Sequence, residues 1–183
     1  MKKQPVDAEH LISSYGRYSP AINSRAFVDL SARIIGNVVI DEGASVWPMS
    51  VLRADAERIS LGRRSAVLDL CLVEAPEGNP VIIEEDSLIS HGATIHGAHV
   101  GPGVLVGIRA VVLDGATVGP GSIIGAASLV TAGTVIPPNS LAMGTPARIL
   151  RQTTQEERTG ILRQIEELAA KAALYGAAQK SGF

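Results

Sequence analysis

The sequence predicts an all-β solenoid, a parallel β-helix of hexapeptide repeats of about seven coils, followed by one α-helix. Two observations carry this. Isoleucine, valine or leucine recurs every sixth residue through Ile22, Val28, Ile34, Ile40, Val46 and Leu52, then Leu61, Val67 and Val73, then Ile83, Ile89 and Ile95, then Val100, Val106, Val112, Val118, Ile124, Val130 and Ile136. Hydrophobic residues make up 46% of the 183 residues but aromatic residues only 3%. A six-residue period marks a solenoid in which each hexad is a short strand plus a corner. Strand side chains alternate, so one aliphatic rung per hexad points inward. The narrow interior admits aliphatic side chains and has no room for stacked rings.

Residues 1–21 read as an irregular leader, residues 22–150 as the solenoid and residues 151–183 as a helix with a tail. Within the solenoid the period breaks at Arg53-Ala54-Asp55-Ala56-Glu57-Arg58, which delays the next rung to Leu61. It breaks again at Glu74-Ala75-Pro76-Glu77-Gly78-Asn79-Pro80, a loop by its Pro and Gly content. Small residues precede the late rungs by two places: Ala98, Ala110, Ala116, Ser122, Ser128 and Thr134. Gly101, Gly107, Gly119 and Gly125 follow their rungs, where permissive dihedrals are expected to ease the bend. The solenoid is expected to close at Ile136-Pro137-Pro138-Asn139. Thr154 and Glu157 form a capping box. Ile161, Ile165, Leu168 and Ala172, with Leu162 and Ala169 beside them, make an apolar stripe at helical spacing, and Gly176 marks the expected stop. The stripe is expected to pack on the solenoid flank or on a neighbouring chain.

The formal charge of −2 gives no electrostatic case for nucleic acid or an anionic membrane. The apolar stretches are short for a membrane span, and the polar start Met1-Lys2-Lys3-Gln4 does not read as a signal peptide. Cys71 is the one cysteine, which excludes an intramolecular disulfide, points to a cytoplasmic address and reads as buried packing.

Val46-Trp47-Pro48-Met49-Ser50-Val51-Leu52-Arg53-Ala54-Asp55 and Ser90-His91-Gly92-Ala93-Thr94-Ile95-His96-Gly97 resemble the core and the metal-binding segment of the γ-class carbonic anhydrases, within the hexapeptide-repeat (bacterial transferase hexapeptide) superfamily. Val106–Gly115 and Met143–Arg148 continue the resemblance over residues 20–175. It implies a left-handed helix and a homotrimer with metal sites between subunits. Arg53, Asp55 and Asp69 match its inter-subunit ion-pair set.

The rung phases separate the two histidines: His91 is two past Ile89 and His96 one past Ile95, so they project from different edges. Glu74, one past Val73, falls beneath His96. Glu74 and His96 of one chain with His91 of another then make a three-ligand set for zinc, or for iron. The family has histidine at Glu74, asparagine at Ala66 and glutamine at Leu68. These altered positions remove a charge-neutral ligand and two polar groups, so carbon dioxide hydration is expected to be weak or absent. His99 is expected outside the ligand set, and His10 has no role.

Three functions fit this reading. The first is metal-hydroxide chemistry on carbon dioxide or another small electrophile, as a carbonic-anhydrase-like lyase with Glu74, His91 and His96 as ligands. The second is a coenzyme A-dependent acyltransferase with His91 or His96 as general base, although the chain has no long acceptor-binding insertion. The third is a non-catalytic trimeric scaffold. In each, the expected assembly is a homotrimer; in the first two, the partner is a small-molecule substrate.

Overall fold

The computed structural model describes residues 11–181, so residues 1–10 of the leader, with His10, and residues 182–183 of the tail lie outside the described residues. The chain winds as a left-handed parallel β-helix of about seven coils. Each coil presents three faces. The first carries Phe27–Val28, Ser45–Val46, Ala66–Val67, Leu88–Ile89, Leu105–Val106, Ile123–Ile124 and Ser140–Gly144 in one parallel stack. The second carries the rungs Ile34, Leu52, Val73, Ile95, Val112 and Val130, and the third carries Ile22, Ile40, Leu61, Ile83, Val100, Val118 and Ile136.

Register is in phase with the hexads throughout, for example Leu88↔Leu105 and Ile89↔Val106. Every rung from Ile34 to Ile136 is at most 2% exposed. These aliphatic side chains form one continuous core, to which Ala98, Ala110 and Ala116 at the corners belong. Cys71 lies in the same core and is 1% exposed.

The structure alters several local expectations. The break in the period at residues 53–58 lies within a strand. Val51–Leu61 is one strand that turns the corner between the second and third faces, pairing with Arg33–Ile40 across a register shift at Gly36/Val38. The extra residues are absorbed as a bulge, which sharpens the bend while backbone pairing resumes on either side. The leader contributes a strand, Ile12–Ser13, which pairs with Ile34 and Ile35. The stack also runs past Asn139: Leu141 and Ala142 lie in register on Ile123 and Ile124. Ala147–Gln152 then folds back antiparallel and covers that edge.

The glycines after the rungs act by size, not by dihedral freedom. Gly107 has no positive φ. A Cβ there would stand 2.6 Å from the Ala126 nitrogen and 2.7 Å from the Ile124 oxygen of the next coil.

Helix α1, Gln155–Ser181, runs back along the first face from the last coil to the first. Its capping box is formed: the Thr154 N–H donates to Glu157 Oε2 at 2.8 Å, and the Glu157 N–H donates to Thr154 Oγ1 at 3.1 Å. Ile161, Ile165 and Ala172 are buried against the chain's own solenoid, in one cluster with Phe27, Trp47, Ala66, Leu68 and Leu88. Trp47 stacks edge-on between Phe27 and Tyr175, at centroid distances of 5.5 and 5.4 Å. Gly176 does not stop the helix. It lies inside it, where a Cβ would meet the Phe27 ring at 3.7 Å, an ordinary contact. Among the described residues no helix is long and apolar enough to cross a membrane.

Candidate functional site

The predicted site residues fall into two groups on different edges, as the rung phases require. The first group runs up the end of the second face. Arg53, Glu74 and His96 stand in register on successive coils. Arg53 forms an ion pair with Glu74 and reaches Asp55 Oδ2 at 3.5 Å. His96 Nδ1 lies 2.5 Å from Asp114 Oδ1, and its Nε2 lies 3.9 Å from Glu74 Oε2. Polar partners along a column of one-coil spacings, with an ion pair at Arg53–Glu74, make a vertical ladder, the solenoid's version of cross-strand pairing. Asp114 was not singled out in the sequence; its position one coil beyond His96 is the signal that finds it.

The second group stands at the corner between the first and second faces. Pro48, Asp69, His91 and Ile108 occupy equivalent places on successive coils. The Leu70 N–H donates to the Pro48 carbonyl (3.1 Å), Gly92 to Asp69 (2.8 Å) and Arg109 to His91 (3.0 Å). This stacking brings His91 Nδ1 to 3.0 Å from Asp69 Oδ2. At that distance the carboxylate is an ion-pair partner for the imidazole when the ring is protonated. The His91 side chain is 53% exposed, and Asp69 is its single polar partner among the described residues. The pair therefore has the composition of a general base beside a carboxylate.

The other candidates are placed elsewhere. Ala66 and Leu68 are buried beneath helix α1 in the cluster with Trp47 and Leu88. Both are apolar because they pack the seam between helix and solenoid. His99 lies on the third face, its Nε2 2.5 Å from Glu84 Oε1. Cys71 is buried among apolar groups, which pushes its thiol up to about 12, so it is not a thiolate nucleophile.

The expected metal site is corrected by this geometry. Among the described residues no three His, Cys, Asp or Glu side chains are grouped to hold an ion. Glu74 is committed to Arg53 and His96 Nδ1 to Asp114. A carboxylate already neutralised by a guanidinium is a poor ligand, so the described residues give no basis for zinc or iron. The donors do not fit zinc or iron.

No family model matches the chain. It is 46% identical over 136 residues to a probable carbonic anhydrase of Methanocaldococcus jannaschii, covering 74% of this chain and 86% of that one. It is 39% identical over 138 residues to the carnitine operon protein CaiE of Salmonella newport, covering 75% and 70%. A Bacillus cereus structure provisionally described as an acetyltransferase superposes with a TM-score of 0.90 at 35% identity, over 91% of this chain and 97% of that one. Together with the donor geometry, the likeness to the CaiE protein and to the acetyltransferase structure overturns the expectation of a carbonic-anhydrase-type metal enzyme.

Proposed function

Because the chain belongs to the hexapeptide-repeat β-helix superfamily, related to its CaiE-like and γ-carbonic-anhydrase-like members, we propose that it is a coenzyme A-dependent acyltransferase whose general base is His91. The observation that carries this is the His91–Asp69 pair, with Nδ1 3.0 Å from the carboxylate and the His91 side chain half exposed. His96 is the weaker candidate, since both its nitrogens face carboxylates of the ladder.

In the proposed reaction, His91 Nε2 accepts the proton of an acceptor hydroxyl or amine as that atom attacks the thioester carbonyl of an acyl-coenzyme A. The carbon–sulfur bond breaks, and His91 returns the proton to the departing coenzyme A thiolate. Asp69 fixes the tautomer and balances the imidazolium formed in passing. No further cofactor enters the step.

A homotrimer is part of the same proposal. Met49, Leu70 and Ile108, exposed by 64%, 62% and 50%, surround the His91 corner. A second copy covering them would turn an open corner into a cleft that excludes water from the thioester. The lone unpaired Cys71 supports a cytoplasmic setting.

The test is calorimetric binding of coenzyme A, followed by thiol release from acetyl-coenzyme A with a panel of small amines and alcohols. His91→Gln is expected to lower turnover by on the order of 10²–10⁴ with the oligomer mass unchanged. Absence of both coenzyme A binding and acceptor-dependent thiol release would refute the reading. A monomeric mass by light scattering would refute the trimer.

A further inference from the structure

The corner that holds His91 is unusual in its left-handed residues. At this place successive coils carry Met49 (φ 57), Leu70 (φ 64), Gly92 (φ 66), Arg109 (φ 55) and Ala127 (φ 55). Four of the five are not glycine, in a conformation that disfavours side chains. The corner between the second and third faces instead uses Gly78, Gly97, Gly115 and Gly133.

Gly92 is the one gap in the column. It adjoins His91 in sequence and lies between Leu70 on the coil below and Arg109 on the coil above. The stem of Arg109 passes over it: a Cβ built on Gly92 would be 3.3 Å from Arg109 Cγ. Leu70, the His91–Asp69 pair and the Arg109 stem thus meet around Gly92 at one exposed corner.

Arg109 is exposed and, among the described residues, has no ion pair and no side-chain hydrogen bond. Arg64 is the control. It also has a left-handed backbone (φ 59), but its Nε and Nη2 donate to both oxygens of Asp86 on the next coil, at 2.7 and 2.5 Å. Where this chain places arginine at a left-handed corner for structure, it supplies the carboxylate. At Arg109 it supplies none. The one nearby carboxylate of the column, Asp69, is used by His91.

We infer that Arg109 is a specificity-determining residue, whose guanidinium binds an anionic group, phosphate or carboxylate, of a small-molecule substrate seated at this corner beside His91. This rests on the reading of the His91 corner as the reacting site. A planar guanidinium grips such groups through two parallel N–H donors, which lysine cannot reproduce. The anion has two sources: a phosphate of the acyl-coenzyme A, or an acidic group on the acceptor.

The experiment compares the full chain with Arg109→Gln and Arg109→Lys. It measures binding of coenzyme A and, separately, of inorganic phosphate with and without saturating coenzyme A, alongside mass by light scattering. Loss of one charge-assisted pair is expected to weaken the relevant anion by about tenfold or more in Arg109→Gln, with partial retention in Arg109→Lys. If coenzyme A weakens, the anion belongs to the donor. If coenzyme A is unaffected and phosphate binding beside it is lost, the anion belongs to the acceptor. Unchanged affinity for both probes overturns the inference. A fall in oligomer mass with unchanged affinity also overturns it, since Arg109 would then pair with a second copy. Phosphate binding that depends on Arg109 in a protein that ignores coenzyme A would sink the acyltransferase reading and leave the anion site standing.

Discussion

Two glycines four residues apart separate the two reasons a solenoid corner needs glycine. Gly103 has φ +64 and open space around a built Cβ, with no atom within 4 Å. Gly103→Ala should therefore cost only the left-handed backbone penalty, about 1–2 kcal/mol. Gly103→Asn should recover most of it, because asparagine tolerates that region. Gly107 is the opposite case. Its φ is ordinary, but an alanine Cβ would lie 2.6 Å from the Ala126 nitrogen, where 3.4 Å is ordinary contact. The Cβ and the nitrogen are fixed to backbone that is paired between coils at Gly107 and Ala127, so neither can rotate away. Relief requires the coils to part, which stretches the Gly107 N–H bond to Ile124 and the Ala127 N–H bond to Ile108, both 2.8 Å. Overpacking of about 1–3 kcal/mol with two weakened bonds of about 1 kcal/mol each gives a loss of about 3 kcal/mol or more. Gly107→Asn should be no better than Gly107→Ala. The assay is urea unfolding followed by circular dichroism, at one fixed chain concentration so that assembly does not bias the comparison. A Gly107→Ala variant as stable as Gly103→Ala, or one improved by asparagine, would refute the steric account of coil stacking.

Three further outcomes follow from named contacts. Cys71, with its thiol pushed up to about 12 by burial, should resist thiol reagents at pH 8 in the folded protein and react once urea unfolds it; fast native labelling would contradict its place in the core. Glu157 is held down at about 2 by Arg151 and by the Thr154 N–H. Its lowered value means the cap contributes above the ordinary value of 4.5 and is lost as pH falls toward 2, so helical dichroism should decline across that window and Glu157→Gln should remove the dependence. Because Glu74 is engaged by Arg53 rather than offered to an ion, chelator treatment should leave the melting temperature and oligomer mass unchanged, and a drop in either would reopen the metal question.

The sequence by itself determined the coil. A six-residue aliphatic period has one packing solution, because any slip would turn a rung outward, so the rungs from Ile34 to Ile136 and the capping box at Thr154 and Glu157 could be read without coordinates. It also determined that His91 and His96 leave from different edges, since phase within the hexad fixes direction. Tertiary structure alone decided what each side chain meets. Leu68 and Ala66 look like losses from a polar pocket until helix α1 is laid over them, when they become the apolar seam it needs. Glu74 reads as a ligand until Arg53, one coil below, takes its charge. Asp69 and Arg109 flank His91 only because stacking brings residues about one coil apart into contact. Hexad phase is a local property of the chain and survives in the sequence; neighbours across coils depend on insertions of changing length, such as those at 53–58 and 74–80, and are set only when the backbone pairs.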